Sequence, residues 1–114
     1  MWNKPSSEEL LKMPALYSSE NVSLKEKMIY MHFFIGGCDW YGAEYDPQES
    51  IFFGFAILNN DLEMAEWGYF SLEELSSLKV EFVEVDRDLH FVHTKAIDIE
   101  NIRKAQNWKK EGAA

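Results

Sequence analysis

Three segments decide how this chain folds: DWYGAEYD (39–46), IFFGFAIL (51–58) and EMAEWGYFSLEEL (63–75). The middle one has no polar side chain in eight residues, so it is apolar on both alternating faces. That pattern belongs to a strand covered on both sides, and it is the predicted central strand. Gly54 inside it lets a neighbouring ring or backbone approach closely. Residues 40–45 are aromatic and read as extended, closed by Asp46-Pro47, a turn signal. Asn59-Asn60-Asp61 is turn chemistry, and a hairpin there brings Met64 to Phe70 back alongside. Ser71 then caps a short helix over 72–75, with Glu74 completing a capping box.

Outward from this centre, Met28 to Ile35 is again apolar on both faces and reads as a strand, with Gly36-Gly37 as a break. Near the start, Ser6 and Glu9 form a second capping box for a helix that Pro14 ends after about two turns. So short a helix persists only if Leu10, Leu11 and Met13 dock on something. Residues 15–24 read as a surface connection. Residues 81–92 alternate, with Val83, Val85, Arg87, Leu89 and Phe91 on one face and Phe82, Glu84, Asp86, Asp88 and His90 on the other. Asp98 is the expected cap of a last helix striped by Ile99, Ile102, Ala105 and Trp108. The tail from Lys109 is expected to fray. The reading is a single α+β domain over 1–114: an antiparallel sheet of about four or five strands, short flanking helices and a C-terminal helix.

Composition narrows the function classes. The chain has 114 residues, a net charge of −9, 46% hydrophobic and 15% aromatic residues, and one cysteine, Cys38. That is enough apolar material for a self-supporting core without a disulfide framework. No segment has the roughly 20 apolar residues of a membrane span, and the opening MWNKPSSEE has no apolar signal core, so a cytoplasmic protein is expected. Excess negative charge disfavours direct contact with nucleic acid or anionic membrane and favours a partner with a basic surface.

Arg87 is the most pointed candidate, because the alternation places its guanidinium on an apolar face. There it needs a carboxylate, and Glu44 and Glu66, set among aromatics, are the expected partners. The plain reading is a structural ion pair. The functional one is an anion-binding arginine in a pocket walled by Trp40, Trp67 and Tyr69, with Tyr41 adjacent in sequence. Glu84, Asp86 and Asp88 at strand spacing are either a solvated face or a cation site. No P-loop, dinucleotide-binding glycine motif, His-Glu-x-x-His or Cys-x-x-Cys is present, so no cofactor or metal is expected.

Taken together, Trp40-Tyr41 with Glu44 and Asp46, Phe52-Phe53-Gly54, the run from Glu66 to Leu75, and Asp86-Arg87-Asp88-Leu89-His90-Phe91 resemble a small family of unknown function. That family is carried on conjugative plasmids, integrative elements and phages. Asp86 stands where the family pattern has Glu. The resemblance implies an accessory protein of a mobile element and brings no catalytic residues. Nine carboxylates lie from residue 39 to 75 with no lysine or arginine among them: Asp39, Glu44, Asp46, Glu49, Asp61, Glu63, Glu66, Glu73 and Glu74. Such a field can imitate a phosphate backbone. The expectation is therefore a binding protein, of anti-CRISPR or anti-restriction type, that occupies the basic groove of a host enzyme. A small enzyme or binding domain for an anionic molecule, using Arg87 with Glu44 and Glu66, is the alternative.

Overall fold

A computed structural model describes residues 2–109, so the tail expected to fray lies, apart from Lys109, outside the described residues. In chain order the elements are α1 (Ser7–Leu11), β1 (Met28–Ile29), β2 (Met31–Ile35), β3 (Cys38–Asp46), β4 (Ile51–Ile57), β5 (Glu66–Ser71) and α2 (Leu72–Ser77). They continue with β6 (Lys79–Val80), β7 (Val83–Glu84), β8 (Asp86–Arg87), β9 (Thr94–Lys95) and α3 (Glu100–Ala105). Five strands form one antiparallel sheet in the order β5-β4-β3-β2-β8. The α+β reading holds, with β4 and β3 inside the sheet.

The sheet is covered on both faces, which is why β4, inside it, is apolar throughout. On one face, Phe33, Trp40, Tyr45, Phe52 and Phe70 pack with Leu10 and Met13 from the N-terminal segment and with Leu72 and Leu75 of α2. On the other, Tyr41, Ala43, Phe55 and Ile57 pack with Ile29, Ala96 and Ile102, and Trp67, Phe91 and Trp108 close the edge. The short N-terminal helix thus docks through Leu10 and Met13, whereas Leu11, also expected to dock, is exposed. Its capping box forms as expected: Ser6 Oγ accepts from Glu9 N–H, and a Glu9 carboxylate oxygen accepts from Ser6 N–H. Ser71 Oγ accepts from Glu74 N–H at the start of α2.

Glycines align across the sheet, Gly42 opposite Gly54 and Gly54 opposite Gly68. At Gly54 an added Cβ would lie 1.8 Å from the Tyr41 carbonyl oxygen. The register slips by one between Gly42 and Glu44, a β-bulge that presses this backbone onto β4 and turns Glu44 inward opposite Phe53.

Three expectations change. The long strand over 81–92 is broken: β6 and β7 form a separate small hairpin, and only Asp86 and Arg87 pair with β2, opposite Phe34 and Phe33. Val85 is fully buried but Val83 and Leu89 are exposed, so the alternation does not extend along the segment. A turn follows at once, with Asp88 Oδ1 accepting from His90 N–H. The strand at 28–35 is interrupted at Tyr30, whose N–H donates to Gly42 O, so β1 pairs with β9 while β2 pairs with β3. The last helix begins at Glu100, and Asp98 belongs to the preceding 3₁₀ turn instead of capping it.

Candidate functional site

Arg87 sits at the β8 edge of the sheet with its side chain only 12% exposed. Its Nε donates to Asn3 O at 3.0 Å, and Nη1 and Nη2 donate to the two Glu9 carboxylate oxygens at 2.8 and 3.3 Å. The partner expected from sequence was Glu44 or Glu66, and neither one fills that role. Glu44 lies opposite Phe53 on the other face of the sheet, and Glu66 is exposed on β5, the far edge from β8. Glu9, 78 residues away in sequence, was legible only as half of a capping box, yet its carboxylate serves both ends. The Arg87 hydrogen bonds, then the Ser6 N–H, hold the Glu9 carboxyl down at about 2. Beside this pair opens a cleft of about 340 Å³ bordered by Lys12, Tyr30, Asp88, Phe91 and His93. Trp40, Trp67 and Tyr69 do not line it.

Those aromatics do not share a pocket. Trp40 is buried in the core on one face, and Tyr41 on the other. The His32 ring stacks on Tyr41 at 4.5 Å and its Nε2 lies 2.7 Å from Asp39 Oδ1. Burial first, then the Asp39 charge, pushes the Tyr41 hydroxyl up to about 12. Trp67 Nε1 donates to Gln106 Oε1, tying β5 to the C-terminal segment.

Glu44 is a buried clamp. One carboxylate oxygen accepts from Tyr17 N–H at 2.9 Å, and the other from Ser19 N–H at 3.1 Å and from Ser19 Oγ–H. Lys27, also buried, donates from Nζ to Ser19 O and Oγ and lies 5.8 Å above the Phe53 ring. The connection over 15–24 is therefore pinned to the sheet through its backbone. A small cleft of about 210 Å³ remains there between Tyr17, Glu20, Phe53 and Tyr69. The hydrogen bond between Tyr17 and Tyr69 raises the Tyr69 hydroxyl above its ordinary value, with Glu44 and Glu20 adding to it.

The Glu84–Asp86–Asp88 row is not a ladder of free carboxylates. Glu84 accepts from Trp2 N–H, Asp86 from Asn3 N–H and Nδ2–H and from its neighbour Arg87 N–H, and Asp88 from His90 N–H. Among the described residues no group of three or more His, Cys, Asp or Glu side chains is arranged to hold a metal ion. Nor is any helix there long and apolar enough to cross a membrane.

Of the nine carboxylates between 39 and 75, Glu49, Asp61, Glu63, Glu66, Glu73 and Glu74 are exposed. Glu44 is buried, Asp39 faces His32, and Asp46 accepts from Gln48 N–H. The exposed ones are divided between the two ends of the sheet. Glu49 and Glu73 flank the β3–β4 turn, where Leu72 N–H donates to Ser50 O; Asp61, Glu63 and Glu66 follow the other end of β4, and Glu74 shares a cleft there with Leu58 and Asn59. The seven residues of β4 separate those ends by roughly 20 Å.

A family model described as a protein of unknown function (DUF2958) matches residues 12–109. The chain belongs to that family. No curated protein and no solved structure matches it. In this DUF2958 domain the motif residues that carried the resemblance are mostly architectural. Phe52 fills the core, Gly54 admits the Tyr41 backbone, Glu44 clamps the 15–24 connection and Arg87 clamps the N-terminal segment. What the sequence did not single out is the β6–β7 hairpin, whose Phe82 is 99% exposed. Its apolar spacing was legible, but as part of a longer strand.

Proposed function

We propose that this DUF2958 domain acts by binding a protein partner through its acidic surface, as an accessory protein of a mobile element that blocks a host nucleic-acid-handling enzyme. The observation that carries the reading is the set of six exposed carboxylates between residues 39 and 75, with no lysine or arginine among them, on a chain of net charge −9. Opposite charge on a basic groove steers encounter and raises on-rates by factors of roughly 10–1,000, steeply dependent on salt. Two acidic ends about 20 Å apart are compatible with a groove that normally follows a phosphate backbone. The commitment of Arg87 to Glu9 and Asn3 also favours binding over catalysis, since the guanidinium is used in holding the fold. The test is capture of the partner from a host lysate on immobilised protein, followed by competition with duplex DNA. Displacement by DNA, and weakening as salt rises, is the expected result. A partner that DNA fails to displace would end the mimic reading.

A second reading rests on the 340 Å³ cleft itself, where Lys12 and His93 stand beside Arg87. It is a site for a small anion, walled by Tyr30 and Phe91 in place of the expected tryptophans. Thermal shifts with inorganic phosphate and with small dicarboxylates test it, and Lys12→Glu should abolish any stabilisation they give.

A further inference from the structure

We infer that the β6–β7 hairpin and the cleft at its base form a docking surface for a protein segment that carries apolar side chains flanked by Lys or Arg. This rests on the protein-binding reading above and names the surface that such binding would use.

The hairpin holds only two residue pairs, Lys79 with Glu84 and Val80 with Val83, and turns on Glu81, at φ +58°, and Phe82. Phe82 is 99% exposed, and Val80 and Val83 are exposed as well. Three apolar side chains among four consecutive residues gain nothing from burial in the free chain, and an isolated two-stranded hairpin is marginal in water. At its base lies a cleft of about 540 Å³ lined by Ile35, Trp40, Leu58, Leu78 and Val80. An exposed aromatic beside an apolar cleft is the arrangement of an interface anchor.

Charge decides the occupant. Glu74 and Lys79 line the cleft, with Lys79 paired in register to Glu84; Glu81 sits at the hairpin tip, and the loop after Leu58 carries Asp61 and Glu63. Asp61, Glu63, Glu74 and Glu81 thus stand around the cleft and hairpin against one basic side chain, Lys79. A second copy of this chain, itself at −9, brings like charge to that rim, and an acidic or purely apolar segment leaves it unmatched. A basic, apolar segment satisfies both parts, with its apolar side chains against Phe82 and the cleft wall and its cations on the carboxylate rim.

The experiment titrates the protein with three synthetic peptides, alternating Lys/Leu, Lys/Ser and Glu/Leu, by calorimetry, and follows its mass by sedimentation. Phe82→Ser alters a ring that is almost wholly in water, so its melt should match the parent, and Leu58→Lys puts a positive charge in place of an apolar side chain at the cleft rim. The Lys/Leu peptide should bind, and about tenfold or more weaker to each variant. The other two peptides should bind far less. Four outcomes overturn the inference: no binding of Lys/Leu, equal binding of Lys/Ser or Glu/Leu, binding indifferent to Phe82→Ser, or self-association that Phe82→Ser abolishes. If the DNA-displaceable partner of the previous section is still captured in any of these cases, acidic-surface binding stands and only its location is wrong. If neither partner nor peptide binds, both fail.

Discussion

Gly54→Ala should come close to unfolding the protein. The added methyl carbon would sit 1.8 Å from the Tyr41 carbonyl oxygen, 2.9 Å from the Tyr41 carbonyl carbon and 3.1 Å from Gly42 Cα. A carbon–oxygen contact needs about 3.3 Å, so β4 must retreat from β3 by roughly 1.5 Å. All three are backbone atoms, so no side chain can turn aside. Two or three ladder hydrogen bonds at about 0.5–1.5 kcal/mol each, with overpacking of about 1–3 kcal/mol, give a loss of about 2–7 kcal/mol. A domain of this kind has about 5–15 kcal/mol in total. Gly68→Ala, next in the same cross-strand row, meets nothing within 4 Å and serves as the control. It should be neutral or stabilising by up to about 1 kcal/mol. Thermal and urea melts followed by circular dichroism measure both. If Gly54→Ala melts within about 3 °C of the parent, the close approach of β3 to β4 is not what Gly54 is there for.

Arg87→Ala removes one hydrogen bond to Asn3 and two to Glu9, but the released Glu9 side chain is 44% exposed and can hydrate. The loss should be about 1.5–3 kcal/mol, a fall in melting temperature of roughly 5–10 °C, short of the cost of breaking a fully buried pair. Asp88→Ala, whose carboxylate serves only the His90 N–H among the hydrogen bonds described, should cost under about 1 kcal/mol in the same melts. Because the folded Glu9 carboxyl lies near 2 against an ordinary 4.5, its contribution is present above about pH 4.5 and is lost as pH falls toward 2. Urea melts across that window should show a shallower acid loss in Arg87→Met than in the parent, and parallel curves would remove Arg87 as the cause. Glu44→Ala leaves the Tyr17 and Ser19 N–H groups without their acceptor, at a cost of about 2–4 kcal/mol. Limited proteolysis should then cut within 15–24, and an unchanged digestion pattern would mean that the clamp does not hold that segment.

The sequence by itself determined whatever depends on neighbours along the chain. Period and turn chemistry placed β3, β4, β5 and the hairpin between the last two. Ser6 with Glu9 and Ser71 with Glu74 marked both early helices. Gly54 was legible as a close approach because eight apolar residues around it left no other use for a glycine. Local pattern failed where pairing partners run out. Residues 81–92 alternate as a strand should, but only Asp86 and Arg87 pair with β2, and the rest turns away and leaves Phe82 in water. Only the tertiary structure decided which carboxylate meets Arg87. Alternation fixes which face a side chain takes, but not which of twenty acidic residues is folded against that face. Glu9 arrives there because α1 docks Leu10 and Met13 beside Phe33, whereas Glu44 is carried to the opposite face by a bulge of one residue. Side-chain contacts across 78 positions are set by how the layers stack, and stacking depends on the summed shape of the core, which no local window contains.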